Sequence, residues 1–313
     1  MPLRIVFCGT PAFAVPALRH LIAQPDFQIV GVVTQPDRPR GRGGETAGSP
    51  VKNAAAEAGI PVFQPEKIKT EAALEYFRQT APDVVVIIAY GQIISARLIA
   101  IPRLGWINVH GSLLPKYRGA APINWAIVNG ETHTGLTTMQ IDPGLDTGPM
   151  LLKYETAIAA DETAPELASR LAQAGAPLIV ETLRRFASGA IAPEPQDNSQ
   201  ATFAPPLKKE EGRIDWALDA QKIYNRIRGL QPWPGAFTSF RGKNCQIWAR
   251  PAGQLSQATA RGTLSVSGGD LLVACGAGTT LRIDLVQLEG RKQVTAREFA
   301  NGARLAPGEC FGG

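Results

Sequence analysis

The sequence predicts an α/β protein: a doubly wound parallel-sheet domain over residues 1–188, a linker over 189–206 and a smaller all-β, barrel-like domain over 207–313. Three observations lead there. The first 110 residues alternate short apolar runs with longer helix-like segments, the pattern of a parallel sheet covered by helices. A proline-rich polar stretch follows, and after it come short strand-like segments separated by glycine turns. A chain of 313 residues also has room for roughly two domains of about 100–200 residues each.

In chain order, Leu3–Phe7, Ile29–Thr34, Pro61–Phe63, Val84–Ala89 and Trp106–His110 read as strands, uniformly apolar as expected where both sheet faces are covered. Between them Ala14–Ala23, Pro50–Ala58 and Thr70–Gln79 read as helices, the second with Ser49 as N-cap and Pro50 in the first helical position. Thr134–Ile141 and Met150–Thr156 have strand character. Thr163-Ala-Pro-Glu166 has the spacing of a capping box and opens a helix to about Ala187. Residues 189–206 carry Gly189, Pro193, Pro195, Pro205 and Pro206 and predict a stiff, extended linker. A helix at about Ala220–Arg228 then leads into strands at Cys245–Ala249, Gly262–Val266, Leu271–Ala274 and Thr280–Gln287.

Composition excludes several classes. The longest apolar run, Val84 to Tyr90, is far shorter than the ~18–20 residues of a membrane span. The apolar start breaks at Gly9-Thr10-Pro11, too early for a secretory signal, so a cytoplasmic protein without membrane contact is the expectation; a monomer is also expected. Cys8, Cys245, Cys275 and Cys310 show no C-x-x-C spacing, which argues for reduced thiols rather than zinc or disulfides, and no metal site is expected. The charge is uneven: residues 1–190 hold 17 Lys and Arg against 16 Asp and Glu, residues 191–313 hold 15 against 11. A modestly basic second domain fits an acidic macromolecule such as a nucleic acid, or an ordinary solvated surface.

Ligands of open parallel sheets bind beyond the carboxyl ends of the strands. The first such turn, Gly9-Thr-Pro-Ala-Phe, keeps only one glycine of the dinucleotide fingerprint, which speaks against a nicotinamide-dependent oxidoreductase. The fifth strand ends in Asn108-Val109-His110. Alternation puts Asn108 and His110 on one face and Val109 on the other. An isolated Asn-x-His pair is more often structural than catalytic, but this one precedes an irregular loop running from Gly111 to Pro122. A second loop, Asp142-Pro-Gly-Leu-Asp146-Thr-Gly-Pro149, holds two carboxylates, and local turn-making accounts for either unless one lies beside His110, where it would orient the ring.

Asn-x-His followed by Gly-Ser-Leu-Leu-Pro-x-Tyr-Arg-Gly-Ala-Ala-Pro-Ile, and later Gly-Leu-Asp-Thr-Gly, resembles the folate-dependent formyltransferases. The opening Val-Phe-Cys-Gly-Thr-Pro, the Thr34-Gln-Pro-Asp-Arg-Pro loop, the stretch from Lys208 to Trp216 and Trp-Pro-Gly-Ala-Phe at 233–237 extend the likeness into the second domain. The resemblance implies transfer of a formyl group from 10-formyltetrahydrofolate to an amine, the α-amino group of methionine on initiator tRNA, without a metal. It further implies that Asn108 and protonated His110 meet the oxyanion, that Asp146 holds His110 and helps move the proton, and that Ser112, Leu113, Leu114 and Pro115 border the folate. A formyltransferase for small amines and a non-catalytic RNA-binding protein are the competing readings.

Residues 36–52 form a Gly- and Arg-rich loop longer than most such connections. Arg38, Arg40 and Arg42 could grip phosphates, and the resemblance implies that this loop meets the tRNA acceptor end, Arg42 foremost. Gly43, Gly44 and Glu45 replace the lysines usual in the family. Lys208 and Lys209 are further phosphate partners, joined by one of Arg226 and Arg228, whose spacing keeps them off a common face. Trp216 and Trp233 are expected in the core.

Overall fold

The computed structural model describes residues 1–39, 46–255 and 257–312. In chain order the strands are β1 (Leu3–Gly9), β2 (Phe27–Val33), β3 (Arg38–Pro39), β4 (Thr46–Ala47), β5 (Val62–Phe63), β6 (Val84–Ile88), β7 (Trp106–His110), β8 (Arg118–Gly119), β9 (His133–Gln140), β10 (Met150–Ala157) and β11 (Phe203–Ala204). They are followed by β12 (Phe237–Phe240), β13 (Lys243–Gln254), β14 (Leu264–Ser267), β15 (Asp270–Ala274), β16 (Thr279–Leu288) and β17 (Val294–Thr295). The helices are α1 (Val15–Ile22), α2 (Pro50–Glu57), α3 (Glu71–Thr80), α4 (Ala96–Ile99), α5 (Pro122–Val128), α6 (Ala164–Ala187), α7 (Ala220–Gly229) and α8 (Ala296–Ala303).

The chain divides into two compact units: residues 1–122, 133–157 and 168–205 form one, and residues 123–132, 158–167 and 206–313 form the other. The first unit holds a seven-stranded sheet in the order β10-β9-β7-β6-β1-β2-β5. The five strands from β7 to β5 are parallel, while β9 and β10 add an antiparallel edge. All five residues of β6 are buried, as its unbroken β-branched run requires. On one face Val6, Cys8, Val85 and Ile87 share a core with Leu74 and Phe77 of α3, Leu98 of α4 and Trp106. Trp106 satisfies its indole by donating to the carbonyl of Leu98 at 2.9 Å. The other face is covered near the site by α6, where a Cβ on Gly175 would meet Val109 Cγ1 at 3.6 Å and Leu136 Cδ1 at 3.3 Å. The helix starts obey local chemistry: Ser49 Oγ accepts from Lys52 N at 3.0 Å, and Thr70 Oγ1 from Ala73 N at 3.3 Å.

Residues 189–206 are extended but paired. Glu194 and Met150 exchange backbone hydrogen bonds of 2.7 and 2.8 Å, and β11 runs parallel to β8. Proline spacing reports stiffness; the pairing partner lies some 80 residues earlier and leaves no local trace.

In the second unit, β12-β13-β16-β15-β14 form an antiparallel sheet with β17 added beside β16. The final residues join its two edges: Leu264 N donates to Glu309 O at 2.8 Å, Phe311 N to Gly262 O at 2.9 Å and Gly312 N to Ser239 O at 2.9 Å. Gly262 lies at φ +81°, and a Cβ there would fall 2.5 Å from Phe311 O. Trp216, Phe240, Phe299 and Phe311 build the core with Ile223 and Ile227 of α7. Trp233, expected inside, is 56% exposed, whereas Trp216 is buried and donates to Thr238 Oγ1 at 3.1 Å. Two segments read with the first half of the chain are tied into this unit. Asn124 Nδ2 donates to Gly229 O at 2.8 Å, Arg228 Nη1 to Glu162 O at 2.8 Å and Tyr224 Oη to Asp161 Oδ1 at 2.8 Å. No helix among the described residues is long and apolar enough to cross a membrane.

Candidate active site

The strand β7 delivers Asn108 and His110 to the carboxyl end of the parallel sheet, and its intervening Val109 faces α6. Asn108 is half-buried, and its carboxamide makes no hydrogen bond among the described residues. His110 is buried, 5% exposed. Its Nε2 hydrogen-bonds the carbonyl of Tyr117 at 2.9 Å, and its Nδ1 lies 3.6 Å from Asp146 Oδ2.

The two carboxylates of the second loop have separate tasks. Asp142 accepts from Gly144 N at 3.0 Å and from Thr147 Oγ1 at 2.7 and 2.9 Å, so it folds the loop upon itself. Asp146, at φ +51°, turns its carboxylate to His110, and its Oδ2 accepts from Gly119 N at 2.8 Å. Gly148 passes so close to β9 that a Cβ would fall 1.9 Å from Gln140 O.

In the Ser112–Pro115 stretch, Ser112 Oγ donates to Lys116 O at 2.6 Å, and Thr137 Oγ1 donates to Ser112 O at 2.7 Å while accepting from Leu114 N at 3.0 Å. Leu114 is fully buried in a cluster with Met139 and Met150. The side chains of Ser112 and Leu114 therefore hold the loop in place, and Leu113 and Pro115 are the two of the four left part-exposed.

Of the cationic set, Arg38 is exposed at the start of the β3–β4 ribbon, while Arg40 and Arg42 lie outside the described residues. Lys208 and Lys209 are exposed. Arg228, offered above as a possible phosphate partner, is instead buried against Asn225 Oδ1 and the carbonyls of Ala159 and Glu162, a cation consumed by helix packing. Arg226 reaches the carbonyl of Glu211 at 2.6 Å.

Three contributors escaped the sequence reading. Arg118 is buried, its Nε and Nη2 donating to Gln196 Oε1 at 3.0 and 2.7 Å. Gln196 Nε2 donates to the carbonyls of Asp146 and Gly148 at 2.8 and 2.7 Å. Thr137 braces the Ser112 loop from β9. Arg118 stood in plain view within the Tyr-Arg-Gly motif, whereas nothing around Gln196 distinguished it from its exposed neighbours.

Comparison with known proteins agrees over the whole chain. A relative from Solibacter usitatus, named methionyl-tRNA formyltransferase, is 54% identical over 310 residues, 99% of both chains. One of the same name from Koribacter versatilis is 53% identical over 305 residues, 96% of both chains. Among solved structures, a sugar 3N-formyl transferase, WlaRD, superposes with a TM-score of 0.66 at 17% identity, covering 93% of this chain and 100% of that one. Methionyl-tRNA formyltransferase from Clostridium thermocellum gives 0.56 at 17% identity, covering 90% and 98%. At those identities the superpositions speak for the fold alone. Residues 3–183 match the family described as formyl transferase and residues 206–304 match its C-terminal domain, and the chain belongs to the formyl transferase family.

Proposed function

We propose that this chain transfers the formyl group of 10-formyltetrahydrofolate to the α-amino group of methionine carried on initiator tRNA. What carries the reading is the approach of Asp146 to His110 beside Asn108, in a chain that shares half its residues with proteins named for that reaction.

10-Formyltetrahydrofolate supplies the formyl carbon that the amine attacks. The residues present suit such a donor: an amide that makes no hydrogen bond among the described residues and a histidine at one strand end, a carboxylate facing that histidine, and a part-exposed leucine and proline in the loop that follows. Asn108 Nδ2 meets the negative charge growing on the formyl oxygen, and one such donor contributes about 3–4 kcal/mol. His110 has its ring held between Tyr117 O, hydrogen-bonded to Nε2 at 2.9 Å, and Asp146 Oδ2, 3.6 Å from Nδ1, and this fixes the imidazole beside the same oxygen with a carboxylate at its back. Asp146 keeps Oδ1 clear of its Gly119 bond, and that oxygen takes the proton from the attacking amine and returns it to the departing nitrogen, a contribution of about 10²–10⁴-fold. Leu113 and Pro115 supply an apolar wall for the pterin, on a backbone held by Ser112 and Leu114. Arg38, Arg40, Arg42, Lys208 and Lys209 hold the tRNA phosphates.

Incubation of the purified chain with 10-formyltetrahydrofolate and methionyl initiator tRNA is expected to yield formylmethionyl-tRNA. Folded protein that forms none, or that formylates amino sugars while ignoring methionyl-tRNA, overturns the reading.

A further inference from the structure

Gln196 is the one partly buried residue in an otherwise exposed run from 192 to 200. Its amide is used completely: both hydrogens of Nε2 go to the carbonyls of Asp146 and Gly148, and Oε1 receives Nε and Nη2 of Arg118. Arg118 is itself buried and also donates to Asn198 Oδ1 at 2.8 Å, so its guanidinium is a fixed point. Among side chains of this length only a carboxamide donates twice and accepts twice; a glutamate cannot donate and a lysine cannot accept.

We propose that Gln196 is a positioning residue for formyl transfer, holding Asp146 at its working distance from His110. The inference rests on the role given to Asp146 above. Asp146 sits in the left-handed region at φ +51°, a conformation that a non-glycine residue keeps only where its surroundings over-determine it. Two adjacent residues of β8 supply that constraint, one at the side chain and one at the main chain. Gly119 N grips the carboxylate, and Arg118 grips the backbone through Gln196. Without the Gln196 bridge the carboxylate retains the Gly119 bond, but the loop that carries it can turn about that bond and away from Nδ1. Gln196 touches no reacting atom; it acts through Asp146.

The test is a double-mutant cycle on the full chain, with two readouts: single-turnover formylation of methionyl-tRNA, and KM for the formyl donor. Gln196→Ala and Gln196→Glu are each expected to slow turnover about tenfold or more while KM for the donor stays within about twofold. Added to Asp146→Ala, either is expected to cost less than about twofold, because the group it positions is gone. Gln196→Glu keeps a partner for Arg118 and decides the question if the alanine variant fails to fold. Turnover within about twofold of the parent protein in the folded Gln196 variants, or an equal loss in the Asp146→Ala background, overturns the proposal and leaves the role of Asp146 intact. Full turnover of Asp146→Ala alone overturns the reading of the site, and this proposal with it.

Discussion

His110 Nδ1 stands 3.6 Å from Asp146 Oδ2, although His110 ends strand β7 and Asp146 lies 36 residues later in the loop between β9 and β10. Asp146→Asn keeps an oxygen for Gly119 N but removes the charge facing the ring. Turnover is expected to fall by about 10²–10⁴-fold with the melting temperature nearly unchanged, read by single-turnover kinetics and thermal unfolding.

Gly119 lies at φ +124°, and a Cβ there would come within 2.6 Å of Ala204 O. Gly119→Ala must either strain the backbone or push β11 from β8, and both disturb the N–H that holds Asp146. We expect a loss of at least about 1–3 kcal/mol in urea unfolding, with a fall in turnover larger than that of a distant variant of equal stability.

Asp83 shows where pH acts on the sheet. Burial raises its carboxyl, but hydrogen bonds from Arg4 N at 2.9 Å and Arg103 Nε at 2.7 Å, with the charges of both arginines, outweigh that and hold it below the ordinary carboxylate range. A carboxyl depressed by folding contributes stability above its unfolded titration, and that contribution disappears as the pH falls through the folded one. Asp83→Asn is therefore expected to cost about 1 kcal/mol at pH 7 and progressively less below about pH 4, measured as paired urea melts.

The thiols divide by burial. Cys8 is fully buried and its thiol is pushed well up by that burial; burial likewise raises Cys245 and Cys275 to about 12. Cys310 is exposed. A disulfide reagent at neutral pH is expected to titrate one thiol in the native protein and four after denaturation; early reaction of a second would contradict the packing of these cores.

Local chemistry was legible wherever period and composition decide it. The strand ends at Trp106 and His110, the Ser49 cap and the shared face of Asn108 and His110 all follow from alternation and capping. The antiparallel turn of β9 and β10 was not legible, because strand character says nothing about direction. The helices α5 and α8 were not legible: α5 starts at the proline that closes the irregular loop, and α8 follows directly on the two-residue strand β17. Asp146 was placed by resemblance rather than by periodicity, and Asp142, equally acidic, is told apart from it by hydrogen bonds alone. Gln196 was invisible for the same reason as the β8–β11 pairing: its partners are 50 and 78 residues away in the chain.

That pairing is only two residues long on each strand, yet the carboxylate loop hangs from it. A separate two-stranded pairing this short opens more readily than the fully buried central strand of the seven-stranded sheet. Catalytic competence and global integrity therefore have separate thresholds: mild urea is expected to silence the enzyme while the far-ultraviolet signal of the sheet persists, a reversible loss that dilution restores.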